Sequence, residues 1–302
     1  MQKLLIVGCG DIARRLLPRL LGHYRVFALV REFEQAAFWR DSGAKPVLAD
    51  LDQPRSLQRI AGLADVIVHL APPPASKLEG GAGEQRDRRT CNLLAALSRG
   101  LSLPQRIVYI STTGVYGDCS GERVDETRAL RPGTARAHRR VDAERQLRAF
   151  GRRGVVVSIL RAPGIYATDR LPLERLRKAT AALNEADDVY TNHVHAEDLA
   201  ALTCAALRYG RSNRIYNATD DSEIKMGDYF DLVADRFGIP RVPRLSRSAA
   251  QEQLSPLQFS FMSESRRLSN QRIRTELRAR LRFPLVDDGV VAAVDERNSA
   301  CS

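Results

Sequence analysis

One stretch decides the fold of this 302-residue chain: Lys3-Leu4-Leu5-Ile6-Val7-Gly8-Cys9-Gly10-Asp11-Ile12-Ala13. The four apolar residues before Gly8 predict a short strand that is buried on both faces. Gly8 and Gly10 then turn the chain, and apolar residues continue at helical spacing over residues 12–21. A strand, a glycine turn and a helix form the first unit of a dinucleotide-binding fold, in which backbone N–H groups approach a pyrophosphate. Taken alone, the pattern is equally compatible with a tight βα turn that binds nothing.

Length and composition limit the architecture. A chain of 302 residues with 44% hydrophobic residues fits one large α/β domain or two smaller ones that share a core. No apolar run approaches the ~18 residues of a membrane span, and the first strand begins so early that we expect no signal peptide. The five cysteines are scattered, and His193 and His195 lack a third ligand, so we expect no metal site. The cysteine pattern favours a reducing, cytoplasmic location.

The strong positive charge is compatible with an anionic small molecule. The formal net charge is +11 and the pI is near 9.8, values that invite a nucleic-acid interpretation. Almost all of the 47 basic residues are arginines, however, and they are spread through nearly every predicted helix. This distribution indicates solvated helix faces. We therefore do not expect a nucleic-acid partner, whereas phosphorylated cofactors remain compatible with the charge.

Strands and helices alternate along the chain. Apolar runs predict further strands at residues 25–30, 45–49, 65–70, 106–111, 154–160 and 214–218. The intervening helices imply a mostly parallel, doubly wound sheet. A loop is predicted at residues 76–87. Beyond residue 222 the pattern is helical, and the tail at 286–302 is expected to be loosely held.

The end of the second strand bears on the choice of cofactor. In dinucleotide folds this strand end meets the adenosine ribose, where an acidic residue binds a 2′-hydroxyl and an arginine suits a 2′-phosphate. Here Arg31 comes first and Glu32 follows it. This order favours NADP, with NAD as the alternative, although Arg31 can also be a solvated residue at a strand end.

Five ordered signals make residues 3–285 resemble the extended short-chain dehydrogenase/reductases, the NAD-dependent epimerase/dehydratase group. They are Gly8-x-Gly10-x-x-Ala13, Asp50-Leu51, His69-Leu70-Ala71, Ser111-Thr112-Thr113-Gly114-Val115-Tyr116-Gly117 and Arg161-Ala162-Pro163-Gly164-Ile165-Tyr166. The resemblance implies a Rossmann-type domain (1–163 and 192–222) and a smaller C-terminal substrate-binding region (164–191 and 223–285). It also implies a sugar-like or other small carbonyl substrate and a homodimer paired through helices at 84–100 and 136–153.

The resemblance also assigns roles to individual residues. The implied cofactor contacts are Gly8, Gly10, Asp11, Ile12 and Ala13 at the pyrophosphate, Asp50 and Leu51 at the adenine, Leu70, Ala71 and Pro72 beside the ribose and phosphates, Ser111 at the strand end, and Pro163 and Ile165 at the nicotinamide. Thr112 matches the serine or threonine that hydrogen-bonds the substrate oxygen.

The helix that carries catalysis departs from the family pattern. Members use a tyrosine as acid/base with a lysine four residues later, and Arg136 and Arg140 occupy these positions here. Arg140 can still pair with the ribose or a phosphate, whereas Arg136 stays protonated at neutral pH and cannot act as a base. His138, with an intrinsic pKa of ~6.5, and Tyr116 are the candidates to replace the tyrosine. Each can instead be structural, His138 on the surface and Tyr116 as a packing aromatic.

Two functions follow from these observations. The first is an NADP-preferring oxidoreductase in which Thr112 orients the carbonyl, Arg140 holds the cofactor and another group replaces the tyrosine. The second is a sensor or scaffold protein that binds NADP(H) without turnover, a function that the arginine at position 136 favours.

Overall fold

The computed structural model describes residues 1–74, 85–260 and 262–301. The first half contains β1 (Lys3–Val7), α1 (Asp11–Leu20), β2 (Arg25–Val30), α2 (Phe33–Asp41), β3 (Lys45–Leu48), β4 (Val66–His69), α3 (Arg88–Leu97), β5 (Arg106–Thr112), β6 (Arg123–Val124) and α4 (Ala135–Gly151). The second half contains β7 (Val156–Ala162), β8 (Gly164–Tyr166), α5 (Leu173–Arg177), β9 (Ala182–Leu183), β10 (Tyr190–Thr191), β11 (His193–His195), α6 (Ala196–Tyr209), β12 (Arg214–Asn217), β13 (Ile224–Lys225), α7 (Met226–Arg236), β14 (Arg244–Leu245), α8 (Arg247–Gln253), α9 (Pro256–Ser260), β15 (Arg267–Leu268), α10 (Gln271–Thr275) and α11 (Val286–Cys301). Short 3₁₀ helices span Pro54–Ile60 and Thr113–Tyr116. Most of the loop predicted at 76–87 lies outside the described residues.

Seven parallel strands form the main sheet, in the order β12-β7-β5-β4-β1-β2-β3. The predicted doubly wound α/β fold is therefore confirmed. The chain winds outward from β1 through β2 and β3, then returns and winds the other way through β4, β5 and β7. The strand order thus reverses between β1 and β4, and in open α/β sheets ligands bind outside the carboxyl ends of the strands at such a reversal.

The buried run in β1 serves both faces of the sheet. Leu4 and Ile6 belong to the apolar core under α1 and α6, whereas Leu5 and Val7 belong to the core under α3 and α4. All four side chains are 0% exposed. Because successive side chains of a strand point to opposite faces, only a continuous apolar run can fill both cores.

The C-terminal region has an apolar core of its own, and the tail belongs to it. The expectation that residues 286–302 are loosely held is corrected here, because Val286–Cys301 forms α11. Val286 and Val290 pack into the same core as Val233 of α7, and an ion pair of 2.8 Å joins Asp287 to Arg236. In the described part of the chain no helix, α11 included, is long and apolar enough to cross a membrane.

The turn after β1 depends on Gly8. The carbonyl oxygen of Val7 accepts the N–H groups of Leu70 at 2.7 Å and Ala71 at 3.0 Å, so the segment after β4 lies directly against the turn. Gly8 has a φ of +100°, and a Cβ atom there would lie 2.3 Å from the backbone nitrogen of Ala71. A side chain at position 8 is therefore excluded by backbone conformation and by contact. At Gly10, by contrast, a Cβ atom would meet nothing within 4 Å.

This difference predicts that Gly8→Ala destabilises the fold much more than Gly10→Ala does. Gly8→Ala is expected to lower the free energy of unfolding by at least about 2 kcal/mol, since it combines a strained φ with a backbone clash. Gly10→Ala, the matched control, is expected to cost less than about 1 kcal/mol. Urea unfolding followed by circular dichroism measures both. Equal losses for the two variants would contradict the close approach of the two segments.

Candidate functional site

A cavity of about 680 Å³ opens at the carboxyl ends of the central strands, at the reversal of strand order. Every residue for which we predicted a cofactor contact lines this cavity, and so does Thr112. These residues are Gly8, Gly10, Asp11, Ile12, Ala13, Arg31, Asp50, Leu51, Leu70, Ala71, Pro72, Ser111, Arg140, Pro163 and Ile165. Positions that are far apart in the sequence thus form one continuous surface.

The N-terminus of α1 faces the cavity without a side-chain cap. Gly10 is the N-cap residue, and no side chain accepts the first N–H groups of the helix. These N–H groups and the positive end of the helix dipole favour an anionic group. Asp11 also lines the cavity, but its carboxylate pairs with Arg15 at 2.9 Å and Arg170 at 3.1 Å. The negative charge of Asp11 is therefore compensated.

One end of the cavity is formed by residues after β2 and β3. Arg31 lines it together with Gln35 of α2 and Asp50, whereas Glu32 does not. Arg31 makes no hydrogen bond or ion pair with any residue that the structure describes. Asp50 is held by its backbone, because its N–H donates to the Ser56 hydroxyl at 2.9 Å. Its carboxylate accepts the N–H of Asp52 at 2.9 Å, so this end presents an unpaired guanidinium beside a fixed carboxylate.

Arg89 of α3 closes the cavity from the side of β4. Its guanidinium forms a two-point ion pair with Asp52, with N–O distances of 2.9 and 2.5 Å, and donates to the carbonyl oxygen of Pro72 at 3.1 Å. The hydrogen bond from Arg89 lowers the pKa of Asp52, which keeps this acid ionised. The pair ties α3 to the segments that follow β3 and β4.

The opposite end of the cavity lies where β5 meets α4. Arg140 donates from Nη1 to the hydroxyl of Tyr109 and to the carbonyl oxygen of Ile110, both at 2.9 Å. Its guanidinium is thereby held against the end of β5. Thr112 ends this strand, and its hydroxyl oxygen accepts the N–H of Gly114 at 3.3 Å. Arg136 lines the same cavity, because residues four apart share a face of a helix.

A buried ion pair lies in the interior next to this end of the cavity. Glu144 and Arg161 have side chains that are 3% and 2% exposed, and two hydrogen bonds of 2.7 and 3.1 Å join them. The hydroxyl of Ser111 donates to the same carboxylate at 2.6 Å. Burial opposes the charge on Arg161, but the pairing with Glu144 outweighs it and raises the pKa of the guanidinium. This network joins β5, α4 and β7 directly behind Thr112.

Tyr116 is not placed to act as an acid/base. Its side chain is 0% exposed and packs with Val115, Val124 and Val141, and its hydroxyl donates to Asn217 at 2.7 Å. Burial raises the pKa of Tyr116 to about 12. The 3₁₀ turn after Thr112 carries this ring into the interior, away from the cavity. The prediction of a catalytic role for Tyr116 is therefore corrected.

His138 also lies away from the cavity. It sits on α4 between Arg136 and Arg140, which line the cavity, but it is not among the lining residues. Two residues along a helix correspond to a rotation of about 200°, so His138 faces away from the side that carries both arginines. The structure therefore does not bring His138 to the reacting end.

A second cavity of about 290 Å³ adjoins the first, and Thr112, Arg136 and Pro163 line both. Its remaining walls come from α4, from the region after β7 and from the C-terminal region. These wall residues are Thr113, Gly114, Thr134, Ala137, Gly164, Tyr190, Thr191, Asn192, Met226, Ser260, Glu264 and Arg266. The second cavity therefore lies where the Rossmann-type sheet meets the segments predicted to bind substrate.

Several residues that line the first cavity were not predicted from the sequence. Gln35, Arg89 and Arg170 line it, and each comes from a helix or loop whose position depends on tertiary packing. The family pattern identifies Arg136 only as a substitution, and the structure places it in the wall of the cavity. His193 and His195 are buried in the β11 region, and the described residues contain no group of three or more residues able to hold a metal ion.

Comparisons with known proteins agree with this geometry. The model of the NAD dependent epimerase/dehydratase family matches residues 4–219. The 4-hydroxy-2-methyl-3-oxo-4-farnesyl-3,4-dihydroquinoline-1-oxide ketoreductase of Stigmatella aurantiaca is 24% identical over 77% of this chain and 72% of its own.

Solved structures extend the likeness to the whole fold. A conserved protein of unknown function from Silicibacter pomeroyi DSS is 28% identical, with a TM-score of 0.77 over 98% of this chain and 99% of its own. The UDP-glucuronic acid 4-epimerase of Bacillus cereus, solved with NAD, is 17% identical, with a TM-score of 0.76 over 99% of this chain and 100% of its own. At this identity the epimerase shows the fold alone.

The buried ion pair predicts a large effect of a small substitution. Glu144→Gln leaves Arg161 charged and without its partner in the interior, so the free energy of unfolding is expected to fall by about 3–5 kcal/mol. The double variant Glu144→Gln/Arg161→Met removes the stranded charge and is expected to recover part of that loss. Urea unfolding measures both. A loss below about 1 kcal/mol in the single variant would show that the pair is not desolvated.

Proposed function

This chain belongs to the NAD-dependent epimerase/dehydratase family, and on that premise we propose that it is a nicotinamide-dependent oxidoreductase that prefers NADP(H). Its proposed substrate is a small or sugar-like carbonyl compound. The observation that carries the proposal is the first cavity, in which an uncapped helix N-terminus, Arg31 and Thr112 lie along one surface. The ketoreductase relative supports carbonyl reduction as the type of chemistry.

The charge of the first cavity fits a dinucleotide phosphate. Five arginines and two aspartates line it. Arg89 pairs with Asp52 and Arg170 pairs with Asp11, which leaves Arg31, Arg136 and Arg140 without an ion pair among the described residues. The unpaired guanidinium groups of Arg31 and Arg140 and the open space at Gly10 fit a ligand that carries several negative charges.

In this proposal, different residues along the cavity bind different parts of the dinucleotide. Gly8 and Gly10 let the pyrophosphate approach the N-terminus of α1. Arg31 would bind a 2′-phosphate, a role for which a planar guanidinium is well suited. Arg140, fixed by Tyr109 and Ile110, would hold the ribose at the other end. A bound reduced nicotinamide supplies the hydride for carbonyl reduction.

Thr112 and Arg136 act on the substrate side in this proposal. Thr112 lines both cavities, so its hydroxyl can donate a hydrogen bond to a carbonyl oxygen placed between them. Negative charge that develops on this oxygen is stabilised by the neighbouring guanidinium groups. In this proposal the proton that completes the alcohol comes from water, because Arg136 stands at the family's tyrosine position and its guanidinium stays protonated at neutral pH.

A second function is favoured by one observation. Arginine stands at position 136 in place of the family's acid/base, and Tyr116 and His138 do not reach the cavity. A protein with this site that binds NADP(H) without turnover would act as a sensor or scaffold. Binding and turnover must therefore be measured separately.

The cofactor preference is tested with Arg31→Ala. Removal of a charged hydrogen-bond partner of a 2′-phosphate is expected to weaken NADPH binding by about 10- to 100-fold, with NADH binding nearly unchanged. Fluorescence titration measures both dissociation constants. Arg25→Ala, at the other end of β2, is the charge-matched control, and Glu32→Ala tests the rival ribose contact. Equal losses for NADPH and NADH in Arg31→Ala would refute the assignment to the 2′-phosphate.

The enzymatic proposal is tested by NADPH oxidation with a panel of carbonyl compounds. With any active substrate, Thr112→Val is expected to lower kcat/KM by about 100-fold or more and to leave NADPH binding within about twofold. Thr112→Ser keeps the hydroxyl and should retain most of the activity. Tight NADPH binding without turnover of any compound would favour the sensor or scaffold function.

A further inference from the structure

Arg136 occupies the boundary between the two cavities. It shares this position with Thr112 and Pro163, since these three residues line both cavities. Of the three, only Arg136 carries a charge. A molecule that extends from the first cavity into the second must therefore pass its guanidinium.

The position of Arg136 is unfavourable for the helix that carries it. Arg136 lies in the first turn of α4, which contains no acidic residue. A cation there meets the positive end of the helix dipole. The side chain of Arg136 is exposed to solvent at the cavity wall, and partial desolvation by the wall together with the charge of Arg140 lowers its pKa. The helix dipole and the charge of Arg140 therefore both disfavour a cation at this position.

Glu264 does not compensate this charge. Glu264 attracts Arg136 electrostatically, but its carboxylate accepts a hydrogen bond of 2.8 Å from Arg266, whose guanidinium also donates to the Gly117 carbonyl at 2.8 Å. Arg136 itself forms no hydrogen bond or ion pair with any described residue. The boundary between the cavities thus carries a net positive charge with no partner in the described protein.

We infer that the substrate carries an anionic oxygen group, a carboxylate or a phosphate, and that Arg136 binds this group beside the reacting carbonyl. The inference rests on the proposed function and specifies its substrate class. A guanidinium suits both groups, because its parallel N–H donors match two oxygens of one anion. Binding of the anion would also relieve the repulsion between Arg136 and Arg140.

The test titrates matched anionic and neutral probes into protein saturated with NADP⁺. Malonate is compared with malonamide, and phenyl phosphate with phenol, by calorimetry at constant ionic strength. At least one anion is expected to bind about 10-fold or more tightly than its neutral partner. The pair that shows the preference distinguishes a carboxylate from a phosphate.

Variants of α4 assign the preference to a residue. Arg136→Gln is expected to remove it to within about twofold, Arg136→Lys to retain part of it because the charge remains, and Arg145→Gln to leave it intact. Arg145 is the control because it is exposed on the same helix and lines neither cavity. An absent preference in the wild type, or an unchanged one in Arg136→Gln, overturns the inference.

NADPH titrations of the same proteins separate this inference from the proposed function. If NADPH binds every protein equally and no anion preference is found, the substrate class alone is wrong. If Arg136→Gln weakens NADPH about 10-fold or more, Arg136 belongs to the cofactor site and the inference fails. If NADPH binds none of the proteins, the proposed function fails and the inference fails with it.

Discussion

The contact between the turn after β1 and the segment after β4 determines most of the site. One carbonyl oxygen, that of Val7, accepts two backbone N–H groups from this segment, and the approach leaves no room for a Cβ atom at Gly8. The contact sits where the strand order reverses, so it forms the floor of the cavity. Because the sheet positions it, the opening of α1 toward a ligand follows from the fold and needs no further side chain.

Several of the arginines make structural contacts within the fold. Arg161 is buried against Glu144, Arg106 donates to the carbonyl oxygens of Ala206 and Gly210, and Arg140 fixes the end of β5. Guanidinium groups are suited to such places because they are weakly hydrated and donate several hydrogen bonds in a plane. Part of the excess positive charge, +11 in formal net charge, therefore serves contacts within the fold. Other arginines supply the unpaired guanidinium groups that line the first cavity.

The central sheet and the cavity floor could be predicted from the sequence because their signals are local. An apolar run, a glycine turn and a polar strand end each lie within a few residues, and the sheet brings them together. Arg89 and Arg170 could not be predicted, because their side chains reach the cavity only through the packing of α3 and of the loop after β8. Tyr116 was predicted wrongly because closeness to Thr112 in sequence does not fix direction, and a single 3₁₀ turn directs the ring into the core. In the tail the signal was present, since Val286, Val290 and Ala293 follow helical spacing.

An arginine at position 136 bears on the proton transfer that this site can support. Oxidation of an alcohol needs a base that removes the hydroxyl proton, and an arginine remains protonated at neutral pH and cannot serve as one. Reduction of a carbonyl instead builds negative charge on oxygen, which a fixed cation stabilises, and water can then deliver the proton. The family's usual tyrosine exchanges this proton with the substrate in both directions, whereas a site with Arg136 and Arg140 exchanges it with water in both directions, because reduction and oxidation share one transition state. In the proposed function the two arginines therefore change how the proton moves, and the ratio of reduced to oxidised cofactor sets the direction of the reaction.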